Sequence, residues 1–564
     1  MPWGSRWQFD IPITSLPSYL FQSPTAPLSK QPAYIDAEKP EYHLTFETYR
    51  LWSKRLAAGL LKRGFRAGDR VLLYSGNTIF FPVVFAGTLM AGGIFSGANP
   101  TYVARELAYQ LKDSGALFLI TAEANLDTAL QAADSISFPH SQVFSFDGGY
   151  DTLDGKGKSF RGIAHWSALL ASEEEGSRFS WPEVTTREQM QRTAVLNYSS
   201  GTTGVPKGVE ISHLNYVSNC MQTIFMTKLA PDYEERLVRA RALGFLPMYH
   251  AYGQTTHCVA CPTQGIPVYV VQKFDFVKML QWVEKYRITI LNLVPPIVVA
   301  MTKRPEVKKY DISSIEGGTC GAAPLGPEPQ LEFERLWPDK QIYLKQGWGM
   351  TEITCSACGF DPNMNIFSSA VGELNPNVEG MILRDDGTEA DYDKEERGEF
   401  LVRAPNVMNG YWRKPEATLE TVTPDGWLKT GDIAYKDHLG LIHIVDRKKE
   451  LIKVKGNQVA PAELEALLLD HPAVQDAAVV GVTIRGEEVP RAYVVLTPDA
   501  VQTTRAEDIA GWLSTRVARH KRLAGGVRLV DAIQKNASGK ILRRELRAIA
   551  KMEVGDSEVR ESRL

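Results

Sequence analysis

Cysteine is scarce in this sequence, with six residues among 564. So few thiols in so long a chain exclude a disulfide scaffold and point to a reducing compartment. Four of them form two Cys-x-x-Cys pairs, Cys258/Cys261 and Cys355/Cys358, and four thiolates are the complement of a tetrahedral zinc site. The pairs lie far apart among apolar and small residues, so buried free thiols are the expectation. Neither sign of charge is in excess: 63 Lys and Arg face 66 Asp and Glu. That balance excludes a nucleic-acid surface and requires locally placed cations for any anionic ligand. The opening Met1–Gln8 lacks the apolar core of a signal peptide. One charge-free stretch, Val71–Ala104, is long enough to span a bilayer. Pro82, Gly87, Gly92, Gly93, Gly97, Asn99 and Pro100 break it into a short helix, a strand and a turn. It therefore reads as buried α/β core and not as an integral membrane segment. Internal repeats and low-complexity tracts are absent as well.

What is present indicates an α/β protein of more than one domain. Apolar runs at Arg70–Tyr74, Ala116–Ile120, Pro267–Val271 and Ile288–Leu293 alternate with helical patterns such as Val277–Tyr286. Alternating strands and helices predict parallel sheets covered on both faces. The stretch from Phe144 to about Glu183 is rich in Gly, Ser, Asp and Glu and reads as a surface excursion. After Gly398 come short extended pieces with acidic turns. From Ala460 a smaller α+β pattern follows, with helices predicted over Glu463–Leu469 and Glu507–Arg519 and strands over Ala477–Val482 and Ala492–Leu496. The charged connector Asp446–Glu450 sets the expected boundary between a domain at 1–446 and a domain at 447–564.

The most informative stretch is Tyr198-Ser199-Ser200-Gly201-Thr202-Thr203-Gly204-Val205-Pro206-Lys207-Gly208. Glycines let backbone N–H groups turn inward, four hydroxyls donate and Lys207 neutralises, so the loop suits a polyphosphate. It differs from the P-loop motif, in which Ser or Thr follows the lysine, because Gly208 stands there. The apolar Thr193–Asn197 and the extended Val209–Ile211 flank it as strands, which favours a structured loop over a plain surface turn.

Four further motifs lie downstream. Gln346-Gly347-Trp348-Gly349-Met350-Thr351-Glu352 offers an aromatic face for adenine, a hydroxyl, and a carboxylate for magnesium. Gly318–Pro324 is a run of small residues that admits a flat ligand near the backbone. Gly426–Asp432 ends in a carboxylate suited to a ribose diol, and Ala537–Arg544 presents Lys540 on a glycine-containing loop. Singly, each has a bland reading as a turn, a cap or a solvated charge. Together, from about Leu44 to Leu546, they resemble the adenylate-forming superfamily of acyl-CoA synthetases, adenylation domains and luciferases. Leu246–Gly253 and Lys453–Pro461 look most like its 4-coumarate–CoA ligase branch.

The resemblance implies stacked α/β sheets plus a small β-barrel-like subdomain in the large N-terminal part, followed by a small mobile α+β lid. It implies an ATP-dependent carboxylic acid–CoA ligase that forms an acyl-adenylate and then a thioester, with ATP, Mg2+ and coenzyme A. The acid would be aryl, arylalkyl or medium-chain. The alternatives are loading of a carrier protein in trans and luciferase-like oxidation. On the family pattern Lys540 bridges carboxylate and α-phosphate, and the hydroxyls at 199–203, Gly204, Lys207 and Thr351 hold phosphates while Glu352 organises the metal. Gly321, Ala322, Ala323, Gln346, Gly347 and Trp348 surround the nucleotide, with Asp432 and Arg447 on the ribose. Lys453 and Gln458 close the adenylation state, and Lys449 matches the hinge. Lys273, Lys455 and Gly456 match CoA contacts. His250 matches the gate between the subsites, and Tyr252, Val294, Gly321 and Gly349 line the acyl pocket. Trp348 replaces a more frequent Tyr, and Val454 and Asn457 stand where aromatics are often found. The terminal Ser562-Arg563-Leu564 resembles a peroxisomal address read by the import receptor; without import the protein would be cytoplasmic.

Overall fold

The computed structural model describes residues 2–561 except 154–156, 200–205, 339, 341, 365–367, 456, 485 and 537–538, with side chains placed to residue 554. Two seven-stranded sheets dominate the large part. One runs Gly410–Tyr411, Lys207–Ser212, Thr193–Ser199, Ile94–Ala98, Arg70–Tyr74, Phe118–Ala122, Val143–Phe146; its last five strands are parallel. The other runs Leu344–Gln346, Gly317–Cys320, Ile290–Leu293, Ala242–Gly244, Val268–Val270, Pro32–Asp36, His43–Thr45, parallel except at its last pair. The sheets pack through one core that includes Tyr34, Val83, Phe95, Val195 and Val268. Its uniformly apolar helix Phe81–Met90 is buried along its whole length, as a helix without a polar face must be. Among the described residues no helix is long and apolar enough to cross a membrane.

The expected barrel-like unit is a five-stranded antiparallel sheet, in the order Trp3–Gly4, Glu379–Leu383, Gly398–Arg403, Leu428–Lys436, Ile442–Arg447. The residues beyond it form a core of their own around Val459, Leu464, Leu468, Val479, Val494 and Leu513. Helix Pro461–Leu469 packs on the hairpin Val474–Ile484/Glu487–Leu496, and helix Arg543–Glu561 closes the chain.

The segment from Phe144 is not a plain surface excursion. Val143–Phe146 is an edge strand, and Trp166, Leu169 and Trp181 are buried. Single large anchors spaced through polar sequence carry no periodicity, so the pattern missed them. The helix expected to reach Arg519 ends at Ser514. There the Ser514 and Thr515 hydroxyls donate to the carbonyls of Gly511 and Trp512 at 2.8 and 2.9 Å, competing with the helical ladder.

Candidate active site

Parallel strands deliver their loops to one edge of a sheet, where ligands of α/β proteins bind. Strand Thr193–Ser199 opens into the hydroxyl-rich loop, Ile290–Leu293 into Val294, Gly317–Cys320 into Gly321–Ala323, and Leu344–Gln346 into Gly347–Glu352. Ser200, Gly201, Thr202, Thr203 and Gly204 lie outside the described residues, as do Gly456 and Ser562–Leu564. At the loop's two ends, the Ser199 Oγ donates to Glu352 Oε1 at 3.2 Å, and Lys207 Nζ stands 4.6 Å from the centre of the Tyr411 ring. The Tyr411 hydroxyl donates to the same Glu352 oxygen at 2.9 Å. Glu352 is 7% exposed.

Asp432 is buried. Trp348 Nε1 donates to its Oδ2 at 2.8 Å, and Arg447 Nε lies 2.7 Å from its Oδ1. That second contact is a close charge pair whose N–H is not aimed at the oxygen, so among the described residues Oδ1 has no hydrogen-bond donor. A buried carboxylate oxygen left without a donor suits a ligand hydroxyl, and a ribose supplies two. The Trp348 ring is itself buried and tilted against Phe400 at 5.0 Å.

Lys540 reaches this group from the C-terminal unit. Its loop is held by Asn536, whose Oδ1 accepts from the Lys540 N–H at 2.9 Å. A Cβ on the neighbouring Gly539 would sit 3.4 Å from Val294 Cγ2, so the loop rests against Val294. Burial, and then Arg447, lower the Lys540 pKa from its ordinary value, while Asp432 and Glu352 oppose that. Burial, reinforced by Lys540, pushes His250 down to about 4, so its imidazole is neutral at pH 7. Its Nδ1 accepts from the Tyr252 N–H at 3.3 Å, which fixes the ring at the start of a short helix. Five motifs distant in sequence thus converge: His250, Glu352, Asp432, Arg447 and Lys540.

The Tyr252 ring lies on Gly321, whose Cβ, if present, would be 3.3 Å from Tyr252 Cε1. The Tyr252 hydroxyl is 3.1 Å from Thr319 Oγ1, which donates to Asn292 Oδ1 at 3.0 Å. Asn292 and Thr319 are register partners on neighbouring strands. They share a face with Val294 and Gly321, two residues further on. Thr319 is exposed although its strand is interior to the sheet, so a cleft opens above it. Among the described residues the buried Asn292 Nδ2 has no hydrogen-bond partner.

Other expected residues stand apart from the convergence. The Gln346 side chain is committed to its own scaffold, with Oε1 accepting from Leu325 N and Nε2 donating to Leu325 O, both at 3.1 Å. Lys453 and Gln458 are exposed register partners on the ribbon Ile452–Val454/Asn457–Val459. Gln458 points to Asp385 at 3.5 Å. Lys455, at φ +48°, pairs with Glu487 at 3.3 Å, and Lys273 is exposed. Ala322 takes φ +73° where the chain turns past Gly321, carrying Ala323 with it. Lys449 sits in the turn after strand Ile442–Arg447. Tyr411, Thr319 and Asn292 escaped the sequence reading. The only local signal for Tyr411 is an aromatic following Asn409-Gly410.

The six cysteines are free, five of them buried, as expected. Among the described residues no group of three or more His, Cys, Asp or Glu is placed to hold a metal ion. A magnesium ion here would combine the Glu352 carboxylate with nucleotide phosphates and water, the coordination that this small, strongly hydrated ion favours. Both hydrogen bonds to Glu352 fall on Oε1, so the residues present fit that role.

Residues 22–412 match the AMP-binding enzyme family, and residues 463–540 match the AMP-binding enzyme C-terminal domain. The chain belongs to the AMP-binding enzymes. Among relatives of this AMP-binding enzyme, phenylacetyl-CoA ligase epaB of Aspergillus niger is 35% identical over 543 residues, covering 95% of this chain and 97% of its own. 4-Coumarate–CoA ligase 1 of Petroselinum crispum is 37% identical over 512 residues, covering 89% and 88%. The ATP-bound crystal structure of MatB from Rhodopseudomonas palustris superposes with TM-score 0.80 at 25% identity, covering 96% of this chain and 99% of that one. The enzyme class is AMP-forming acid–thiol ligase.

Proposed function

We propose that this AMP-binding enzyme activates an aryl, arylalkyl or medium-chain carboxylic acid in two steps and delivers it to coenzyme A. In the first step a carboxylate oxygen of the acid attacks the α-phosphorus of ATP. The α–β anhydride bond breaks, and pyrophosphate leaves. In the second the CoA thiol, giving up its proton, attacks the acyl carbon and AMP departs. The observation that carries this reading is the arrival of Lys540, from the C-terminal unit, among His250, Glu352, Asp432 and Arg447.

In-line attack concentrates negative charge on the α-phosphate, and a preorganised, desolvated ammonium stabilises that charge more strongly than water does. Lys540 has the position and burial for this. The unpartnered Asp432 oxygen takes the ribose, and Trp348 fixes the other oxygen of that carboxylate. The neutral His250 adds no competing positive charge beside Lys540. Bound magnesium, held at Glu352, would neutralise phosphate charge and stabilise the leaving pyrophosphate. We further propose that residues 447–564 act as the lid, turning about Lys449 to withdraw Lys540 and bring Lys455 and Gly456 towards CoA, with Lys273 on the opposite wall. The Tyr252–Thr319–Asn292 chain gives the distal end of the acyl pocket hydrogen-bonding capacity, which favours an acid with a polar group there.

The test is ATP-dependent pyrophosphate release across cinnamic, benzoic, phenylacetic and straight-chain acids, ring-hydroxylated forms included, with and without CoA. Multiple turnover with one acid class, yielding its CoA thioester, supports the reading. A single turnover that CoA does not relieve points to a carrier protein. Light emission or oxygen consumption points to the oxidative alternative.

A further inference from the structure

Residues 408–412 form a strap that touches both halves of the phosphate site. The Met408 N–H donates to the Glu352 carbonyl at 2.8 Å, Asn409 N donates to Glu210 O at 3.0 Å, and Trp412 N donates to Gly208 O at 2.8 Å. Between them Gly410–Tyr411 pairs antiparallel with Lys207–Ser212, the strand that leaves the hydroxyl-rich loop, with Tyr411 opposite Val209. This pairing aims the largely buried Tyr411 ring into the site. One end of the side chain is a hydroxyl donating to Glu352 Oε1 at 2.9 Å. Its face lies 4.6 Å from Lys207 Nζ.

We infer that Tyr411 is a positioning residue that couples the phosphate-binding lysine to the metal-binding carboxylate. A glutamate side chain reaching from a short 3-10 turn (Thr351–Ile353) has rotatable bonds to spare. The phenol donor and the Ser199 hydroxyl converge on one oxygen and hold Oε2 in a single orientation before any cation arrives. The ring face holds the Lys207 ammonium by cation–π attraction, in register with the strap. The two functions sit on separable parts of one side chain, and the inference rests on the proposed metal role of Glu352.

The experiment is calorimetric titration of Tyr411→Phe, Tyr411→Leu, Glu352→Gln and the unaltered enzyme with ATP, once in EDTA and once with saturating Mg2+. No acid is present, so nothing turns over. The readout is the factor by which Mg2+ tightens ATP binding. Tyr411→Phe removes the hydroxyl and keeps the ring. It is expected to cut that factor about tenfold, the loss of one hydrogen bond to a charged acceptor, with metal-free affinity unchanged. Tyr411→Leu is expected to weaken metal-free binding as well, because Lys207 loses its platform. If Glu352→Gln keeps the full magnesium factor, the metal role of Glu352 is wrong. If Glu352→Gln abolishes the factor and Tyr411→Phe retains it, or if Tyr411→Phe weakens both titrations equally, the coupling role of Tyr411 is overturned. Should Tyr411→Leu fail to fold, the Phe variant decides alone.

Discussion

The chemistry of individual side chains here is set by who shares their burial. His250 is an ordinary imidazole pushed down to about 4, first by desolvation and then by the approaching Lys540 ammonium. Lowering a base's pKa favours its neutral form, so the midpoint of His250 lies below pH 5 and the neutral ring predominates between pH 5 and pH 8. The pH profile of thioester formation is therefore expected to show no limb belonging to His250 in that range, and the shape is expected to be the same in His250→Ala. A limb near the unperturbed histidine value that vanishes in the variant would contradict the burial argument.

At the scale of single elements, close backbone approach explains why certain small residues stand where they do. A Cβ on Gly349 would lie 1.6 Å from the Cys355 carbonyl oxygen, a distance no rotamer change relieves. Gly349→Ala must push apart the two arms of the loop that carries Trp348 and Glu352. We expect a loss of about 3 kcal/mol or more. Thermal unfolding checks this, and a midpoint within about 2 °C of the unaltered enzyme would refute it.

Much of this level was legible in the sequence. Strand Arg70–Tyr74 was predicted with its observed bounds, and Phe276–Tyr286 differs by one residue from the predicted helix. Both are short and strongly patterned. The motifs around Trp348, Glu352, Asp432 and Lys540 were found because glycine and charge stand together in them, and the one around Gly321 because it is a run of small residues. The strap that orients Glu352 was not legible, because its contacts join residues that are 59 positions apart in the chain. The Thr319–Asn292 pair depends on strand register, which single-strand periodicity does not supply.

The junction after strand Ile442–Arg447 carries an element-level prediction of its own. Asp446 is buried, with its Oδ2 accepting from Ala462 N at 2.9 Å across to the next helix. Burial raises its pKa to about 6, against 3.8 for an ordinary aspartate. A folded-state value above the unfolded one means that the folded protein holds the proton more tightly. Its stabilising contribution is complete below about pH 4 and is lost as pH rises through 6, to a total of about 3 kcal/mol. Asp446→Asn, permanently neutral, is expected to gain stability relative to the unaltered enzyme between pH 5 and pH 7. A constant difference across that range would contradict the assignment.

The whole molecule brings a lysine from near its C-terminal end to a site built by the ends of two parallel-rich sheets. The C-terminal unit also holds the large part through Lys303, whose Nζ donates to the carbonyls of Leu469 and Val474 at 2.9 and 2.7 Å. Small apolar contacts join it there, Ala466 beside Gly326 and Gly539 beside Val294, and because the unit keeps a core of its own, the lid motion proposed above does not require it to unfold. Such an arrangement suits an enzyme that needs Lys540 for one half-reaction and its absence for the next. The measurement that tests this most directly separates the two halves in Lys540→Ala: pyrophosphate release from acid and ATP, and thioester formation from CoA and a supplied acyl-adenylate. The expected result is a fall of about 10²–10³-fold in the first, the usual loss for one preorganised charge, with the second within about twofold of the unaltered enzyme. Equal losses in both half-reactions would contradict the account.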